Sequence, residues 1–379
     1  MKTGKKKLLL LSIAVLMTGF AMAQTTAKEW YDKGIKLMDD ESYTEAITAF
    51  EKASALDPKD EDAFYKAGWC YNDIRKYDKA VESLKKAVAL KSTYHEAYQE
   101  MGYAYKKLAK YDDALSMLKK AIAIKSDYAM AYKQMGDVYD NMEQQDNAID
   151  AYKKAYQYDS ENDDACYMLG YIYNAKGDYE TAIEWLNKSN DIKESAFNYN
   201  ELGFANYKLK KNTEAISAYK SALRLDPDNG TSYKGMGDVY RRNYDPARIT
   251  DAIENYKKAI ERNPKSPGSH YGLGWCYNEQ DRYDEAIPLL RRSIELDKTL
   301  SAGYVELGYA LYKTESYSDG LRVLKQGMEM DSKSALCRYY AGLIYVSQKE
   351  KSKARDMYDA LVNLDTKLAD KLLIKINAL

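Results

Sequence analysis

Ten glycines stand in near-constant register along this chain. They are Gly34, Gly68, Gly102, Gly136, Gly170, Gly203, Gly237, Gly274, Gly308 and Gly342, spaced by 34 residues except for one interval of 33 and one of 37. Self-similarity at such a period marks a repeat array, in which each unit packs on its neighbours. The 379 residues, a length that suits two or three ordinary domains, are therefore expected to form one elongated array. Residues 95–128 show the unit clearly. Tyr98, Met101, Gly102 and Tyr105 fall at i, i+3, i+4 and i+7, one face of a helix. After a break near Lys110, a second apolar series runs through Ala114, Leu118, Ala121 and Ile122, with Asp112 and Asp113 in the first turn, where they complement the helix dipole. Each unit is thus predicted to be a helical hairpin. Ala46, Ala80, Ala114, Ala148, Ala182, Ala215, Ala286 and Ala354 each follow their glycine by twelve residues; Ala252 comes three residues late and Gly320 takes the ninth place. Small residues at both crossing points predict close backbone approach. A mid-helix glycine costs about 1 kcal/mol against alanine, so a whole series of them requires a packing reason.

In the first unit Trp30, Gly34, Ala46, Phe50, Ala53 and Pro58 follow the pattern W-x2-L-G-x2-Y, A-x3-F, P, and the chain resembles the tetratricopeptide repeat (TPR) family. Departures are mild: Leu37 and Leu311 replace the Tyr, Tyr207 comes one residue late, and Ser92, Ser126, Ser160 and Ser332 replace the final Pro. The resemblance implies an all-α fold, a right-handed α-solenoid (superhelix) of ten helix-turn-helix repeats over 27–366. Their expected bounds are 27–60, 61–94, 95–128, 129–162, 163–195, 196–229, 230–266, 267–300, 301–334 and 335–366. Asp365 and Thr366 suit a helix N-cap. The segment 367–379, with Leu368, Leu372, Leu373, Ile376 and Leu379, reads as a capping helix that covers the last repeat, as solenoids require.

The amino terminus reads as an export signal. Lys2, Lys5, Lys6 and Lys7 precede the apolar run Leu8 to Phe20, and Ala21-Met22-Ala23 supplies a cleavage site before Gln24, so residues 1–23 are expected to be removed and 24–26 to be a short linker. The apolar run is shorter than the roughly 20 residues that span a bilayer, and no Cys follows the site to take a lipid. A periplasmic or secreted destination is expected: the periplasm of a Gram-negative bacterium, or beyond, with no integral span after cleavage. Loss of the four leader lysines leaves 53 of the 57 basic residues against 58 acidic ones, a net charge of −5, which argues against a nucleic-acid partner.

Cys70, Cys166, Cys276 and Cys337 lie in non-adjacent repeats, too far apart for disulfides, and are expected to be buried thiols. No Cys/His spacing suits a metal. His95 and His270, the only histidines, fall where packing or surface residues stand in other repeats, and no carboxylate pair is singled out. The chain is expected to be non-catalytic, with no cofactor.

The 38 tyrosines divide by register. Many stand where TPR proteins use large side chains to pack the hairpin. Others share a first-helix face that lines the concave groove of that family. There the triplets Tyr65, Trp69, Asn72; Tyr167, Tyr171, Asn174; and Tyr271, Trp275, Asn278 recur every third repeat, accompanied by Tyr103, Phe204 and Tyr309. A three-repeat block used three times is implied. These twelve residues are the candidate ligand-binding set. Rings with an amide nearby suit an extended peptide or a glycan, and they equally suit packing between successive first helices. Capture of a terminal carboxylate, a further mode of the family, needs Lys then Asn. Lys133 and Lys234 are followed by Asp137 and Asp238, which is unlike it. The expected function is an interaction scaffold or adaptor in the cell envelope holding a protein or peptide partner, the alternative being a polysaccharide-binding or export-associated scaffold.

Two irregularities carry expectations of their own. Three additional residues within Arg241 to Arg248 are expected to lengthen a turn, and Pro288 to kink its helix or displace its start.

Overall fold

A computed structural model describes residues 26–242 and 246–379. The export signal at 1–23 and most of the linker lie outside the described residues. Among those residues there are 21 helices and no strand. The described chain falls into two compact units that divide between Ile172 and Tyr173, and each is described by itself.

The first unit holds the hairpins α1 (Ala27–Asp39) and α2 (Tyr43–Leu56), α3 (Glu61–Asp73) and α4 (Tyr77–Leu90), α5 (His95–Lys107) and α6 (Tyr111–Ile124), α7 (Ala129–Asn141) and α8 (Gln145–Tyr158), and the start of α9 (Asp163–Lys176). The second holds α10 (Tyr179–Ile192), then α11 (Ala196–Lys208) and α12 (Asn212–Leu225), α13 (Gly230–Arg242) and α14 (Pro246–Arg262), α15 (Pro267–Glu279) and α16 (Tyr283–Leu296), α17 (Ser301–Lys313) and α18 (Tyr317–Met330), α19 (Ala335–Ser347) and α20 (Lys351–Val362), and α21 (Thr366–Asn377). Consecutive helices pack on one another from α1 to α8 and from α10 to α21, and within a unit successive first helices, such as α3 with α5 and α15 with α17, also touch. This is the consecutive hairpin packing of an α-solenoid.

Local chemistry sets the ends of these helices. Thr26 and Glu29 form a capping box on α1, with Glu29 N donating to Thr26 Oγ1 at 3.2 Å and Thr26 N donating to Glu29 Oε2 at 2.7 Å. Each described turn inside a hairpin has one residue in the left-handed region, Glu41, Arg75, Ala109, Glu143, Gly177, Lys210, Asp281, Glu315 and Lys349, and only one of them is glycine.

The register glycines seat a side chain from the second helix of their own hairpin. A Cβ on Gly102 would lie 2.6 Å from Leu118 Cγ and 3.4 Å from the Ala114 carbonyl oxygen. Gly34 receives Phe50, Gly68 Leu84, Gly136 Tyr152, Gly203 Tyr219, Gly237 Tyr256, Gly274 Leu290 and Gly308 Leu324. The expected approach of small residues is real, and what it accommodates is a large residue sixteen positions on, nineteen in the seventh repeat. These side chains are the buried core: Phe50, Leu84, Leu118, Tyr152, Tyr256, Leu290 and Leu324 are all fully enclosed. At Gly342 the occupant is Leu372 of α21, so the cap fills the last seat. Leu372 and Ile376 are buried as expected, while Leu379 is exposed.

The seventh repeat corrects one expectation. Its second helix starts nine residues after Gly237, as in the other repeats, and the three additional residues lengthen α14 to 17 residues against 14 in α12 and α16. The turn is not lengthened. Proline is favoured at the first helical position, and three residues make nearly one turn, so Ile249, Ala252, Ile253, Tyr256 and Ala259 remain on one buried face. Pro288 likewise leaves the start of α16 at Tyr283, in register with α4 and α6, and lies inside a helix that continues to Leu296.

Candidate functional site

The three asparagines of the predicted set are buried, and each spans to the next first helix. Asn72 Nδ2 donates to the Glu100 carbonyl at 3.1 Å and to its Oε2 at 2.7 Å. Asn174 does the same to Glu201 at 3.1 and 2.8 Å, and Asn278 to Glu306 at 3.1 and 2.9 Å. The amide donors are therefore engaged in repeat-to-repeat bonds. In all three residues the Oδ1 is buried and accepts no hydrogen bond. Burial raises the carboxyls of Glu100, Glu201 and Glu306 above the usual glutamate range, opposed by the asparagine bond.

The smaller predicted set recurs as edge-to-face ring pairs. Tyr103 meets Tyr77 at 6.3 Å and 73°, Phe204 meets Tyr179 at 6.1 Å and 77°, and Tyr309 meets Tyr283 at 5.8 Å and 85°. The threefold block of the sequence is thus a threefold recurrence of contacts. Glu100, Glu201 and Glu306, with Tyr77, Tyr179 and Tyr283, are the residues that sequence reasoning missed. Their signal was present, since each Glu stands two residues before a register glycine and each Tyr nine after one.

Around this shared frame the other predicted residues differ. Tyr65 is half-buried against Tyr94 at 4.8 Å, and Trp69 meets Tyr43 edge-on at 5.7 Å. Tyr167 and Tyr171 have centroids 6.3 Å apart, and Tyr171 is 45% exposed. Phe204 is 37% exposed and Phe197, on the same helix, 70%. Trp275 is buried, and Arg241 of α13 places its guanidinium 5.2 Å from the ring centroids of both Trp275 and Tyr271. The predicted twelve do not converge on one centre; they are distributed along first helices in both units.

In the first unit a cavity of about 710 Å³ opens on this face, lined by Trp69, Asn72, Glu100, Tyr103, Tyr128 and Gln134 among others. Tyr128 donates to Gln99 Oε1 at 3.2 Å, and its hydroxyl is pushed up to about 12 by burial and by Glu96 and Glu100. Gln134 is buried, and its Oε1 accepts no hydrogen bond. The lining thus holds two buried carbonyl oxygens without donors and the Glu100 carboxyl, and Asp73, Arg75 and Lys107 stand in it as exposed charges.

All four cysteines are buried; burial pushes the thiols of Cys70 and Cys276 up to about 12. His270 Nδ1 lies 2.9 Å from the Ser266 carbonyl and His95 packs edge-on to Tyr128, so both histidines are packing residues. Among the described residues no cluster of His, Cys, Asp and Glu is placed to hold a metal, and no helix is long and apolar enough to cross a membrane. At the position of the family's carboxylate-binding Asn, Asp137 and Asp238 instead pair with Lys133 and Lys234 at 3.4 and 2.6 Å.

Stacked helical hairpins with a glycine-seated core and a side-chain frame repeated between first helices define a helical-repeat protein. The sequence matches the family described as anaphase-promoting complex, cyclosome, subunit 3 over residues 39–121 and 141–222, the TPR repeat family over 203–243, and the tetratricopeptide repeat family over 244–300. The chain belongs to the tetratricopeptide repeat proteins. Among solved structures it is similar to the C-terminal part of a TPR repeat-containing protein from Cytophaga hutchinsonii, at 20% identity and TM-score 0.53, covering 64% of this chain and 99% of that one. It is also similar to MamA, at 34% identity and TM-score 0.40, covering 42% and 94%. A third is YrrB, described as a TPR protein with an unusual peptide-binding site, at 20% identity and TM-score 0.41, covering 49% and 95%. No curated protein sequence matches.

Proposed function

We propose that this protein is a non-catalytic scaffold or adaptor of the bacterial cell envelope, exported by the signal at 1–23 and holding a polypeptide partner along its first-helix face. The observation that carries the reading is the exposed apolar surface on the first helices of each unit: Tyr171 and Met130 in the first, Phe204 and Phe197 in the second, are each more than one-third exposed. Large apolar side chains kept in water along one helix face suit a contact surface. Aromatic rings provide large contact area at low entropic cost to either side. The acidic net charge of the processed chain suits a protein partner better than a nucleic acid.

Immobilised full chain, incubated with envelope extract and in parallel with a glycan array, tests the reading. Wild type is expected to retain specific proteins, and Tyr103→Ala combined with Phe204→Ala to lose them while circular dichroism stays unchanged. Retention of glycans alone would replace the peptide reading with the polysaccharide one. Proteins retained equally by the double variant would sink the aromatic face as the contact surface. Export is tested by amino-terminal sequencing of the mature chain, expected to begin at Gln24.

A further inference from the structure

We propose that the cavity of the first unit, floored by Asn72, Glu100 and Gln134, is a receptor for an arginine side chain of the partner polypeptide. The inference rests on the scaffold reading and names what that scaffold grips.

Every group on the floor asks for a donor. Asn72 and Gln134 are more than nine-tenths buried, their carbonyl oxygens accept nothing, and an unmade bond of this kind costs roughly 1–3 kcal/mol. The same cavity is lined by Glu100, whose carboxyl is held by Asn72 and Gln99 and, among the described residues, pairs with no cation. Guanidinium is the side-chain group that offers five donors and no acceptor in a plane that stacks on aromatic rings, and Trp69, Tyr103 and Tyr128 form the walls. Both orphan oxygens are shut off from bulk water, so an entering ligand has to move a lining side chain; Met130, unbranched and exposed, is the one suited to swing.

The protein contains its own example. In the third block, Asn278, Glu306, Tyr271 and Trp275 reproduce Asn72, Glu100, Tyr65 and Trp69, and there Arg241 lies over both rings and acts on Glu306, while Asn278 Oδ1 stays unpaired. The residue in the register of Arg241 two blocks earlier, four after Gly34, is Met38, which packs against the same hydrophobic cluster as Tyr65 and Trp69 and carries no charge. The first seat therefore has the rings and the carboxyl without the cation. Lysine matches it less well, being a point charge without a plane to stack. The rim, with one carboxylate at Asp73 against two cations at Arg75 and Lys107, is net positive and does not attract a guanidinium, so selection lies with the carboxyl and rings within.

Fluorotryptophan-labelled full chain, read by fluorine NMR, tests this with blocked Ala-Arg-Ala peptide and its lysine and citrulline counterparts as probes. The arginine peptide is expected to shift the Trp69 resonance saturably, with binding about tenfold tighter than lysine or citrulline. Met38→Arg should fill the seat internally and abolish the shift. Arg241→Met should open the third seat, so that Trp275 also responds. Equal shifts from all three peptides, a Trp69 shift by a neutral oligosaccharide instead, no shift at all, or arginine binding unchanged in Met38→Arg would each overturn the proposal. A protein captured by wild type and still captured by Met38→Arg would defeat this inference and leave the scaffold reading standing.

Discussion

Alanine at Gly102 separates two opposed effects that this structure makes comparable. Replacing glycine inside α5 gains about 1 kcal/mol of helix propensity. The added Cβ would meet Leu118 Cγ at 2.6 Å and Cδ2 at 2.7 Å, with the Ala114 carbonyl oxygen at 3.4 Å. The offended atom is a branch carbon of a fully buried leucine, not the end of a flexible chain, so α5 and α6 must separate or Leu118 must leave its rotamer. Overpacking of this kind costs about 1–3 kcal/mol. The larger figure applies where the blocking atom cannot swing aside, leaving a net loss of about 1–2 kcal/mol. Gly268→Ala is the control. Its Cβ would meet only Lys234 Cε, at 3.2 Å, on a mobile side chain, so its effect is expected within about 0.5 kcal/mol of zero. Urea titration by circular dichroism, with hydrogen exchange to localise the loss to the third hairpin, reads both. Gly102→Ala as stable as wild type would refute the glycine seat as the reason for the register.

Ala109 has a φ of 56°, so Ala109→Gly is expected to stabilise the turn by about 0.5–1 kcal/mol, visible as a higher urea midpoint. Because burial raises the carboxyls of Glu100, Glu201 and Glu306, their contribution is complete below the unfolded glutamate value and is lost as pH rises through the raised folded one. Replacing all three by Gln is expected to flatten that decline and raise stability at neutral pH, in urea midpoints taken across pH; an unchanged profile would show that the shifts are absent. Deleting 365–379 removes Leu372 from Gly342 and uncovers Leu361 and Leu343, so the last hairpin should lose several kcal/mol and bind a hydrophobic dye. Disulfide-exchange reagent at mildly alkaline pH should find the four buried thiols unreactive in the folded chain and all reactive in denaturant.

The hairpins were legible because a glycine every 34 residues and an alanine twelve residues later leave few ways to bury two helical faces. Periodicity tells which residues share a face, but it does not say which atom stands across the gap. For that reason Leu118 as the occupant of Gly102, and Glu100 as the acceptor of Asn72, emerged only from the structure. The same limit explains the site. Trp69 and Trp275 are identical in register, yet Trp69 lines the cavity of the first unit while Trp275 is buried with the Arg241 guanidinium over its ring. The three additional residues of the seventh repeat were misread as turn because an insertion in a loop and a nearly whole turn of helix look alike in sequence. Pro246 at the first helical position and the preserved phase of Ile249, Ala252 and Tyr256 decide between them.

The central claim is that the ring-bearing first-helix face holds a polypeptide partner. Photo-crosslinking amino acids placed at Tyr103 and at Phe204, each in the full chain expressed in living cells, test it most directly, with Lys119 on the exposed side of α6 as reference. The account predicts discrete protein adducts from Tyr103 and Phe204 and none from Lys119. Adducts from Lys119 alone, or no protein adduct from either ring position, would contradict it.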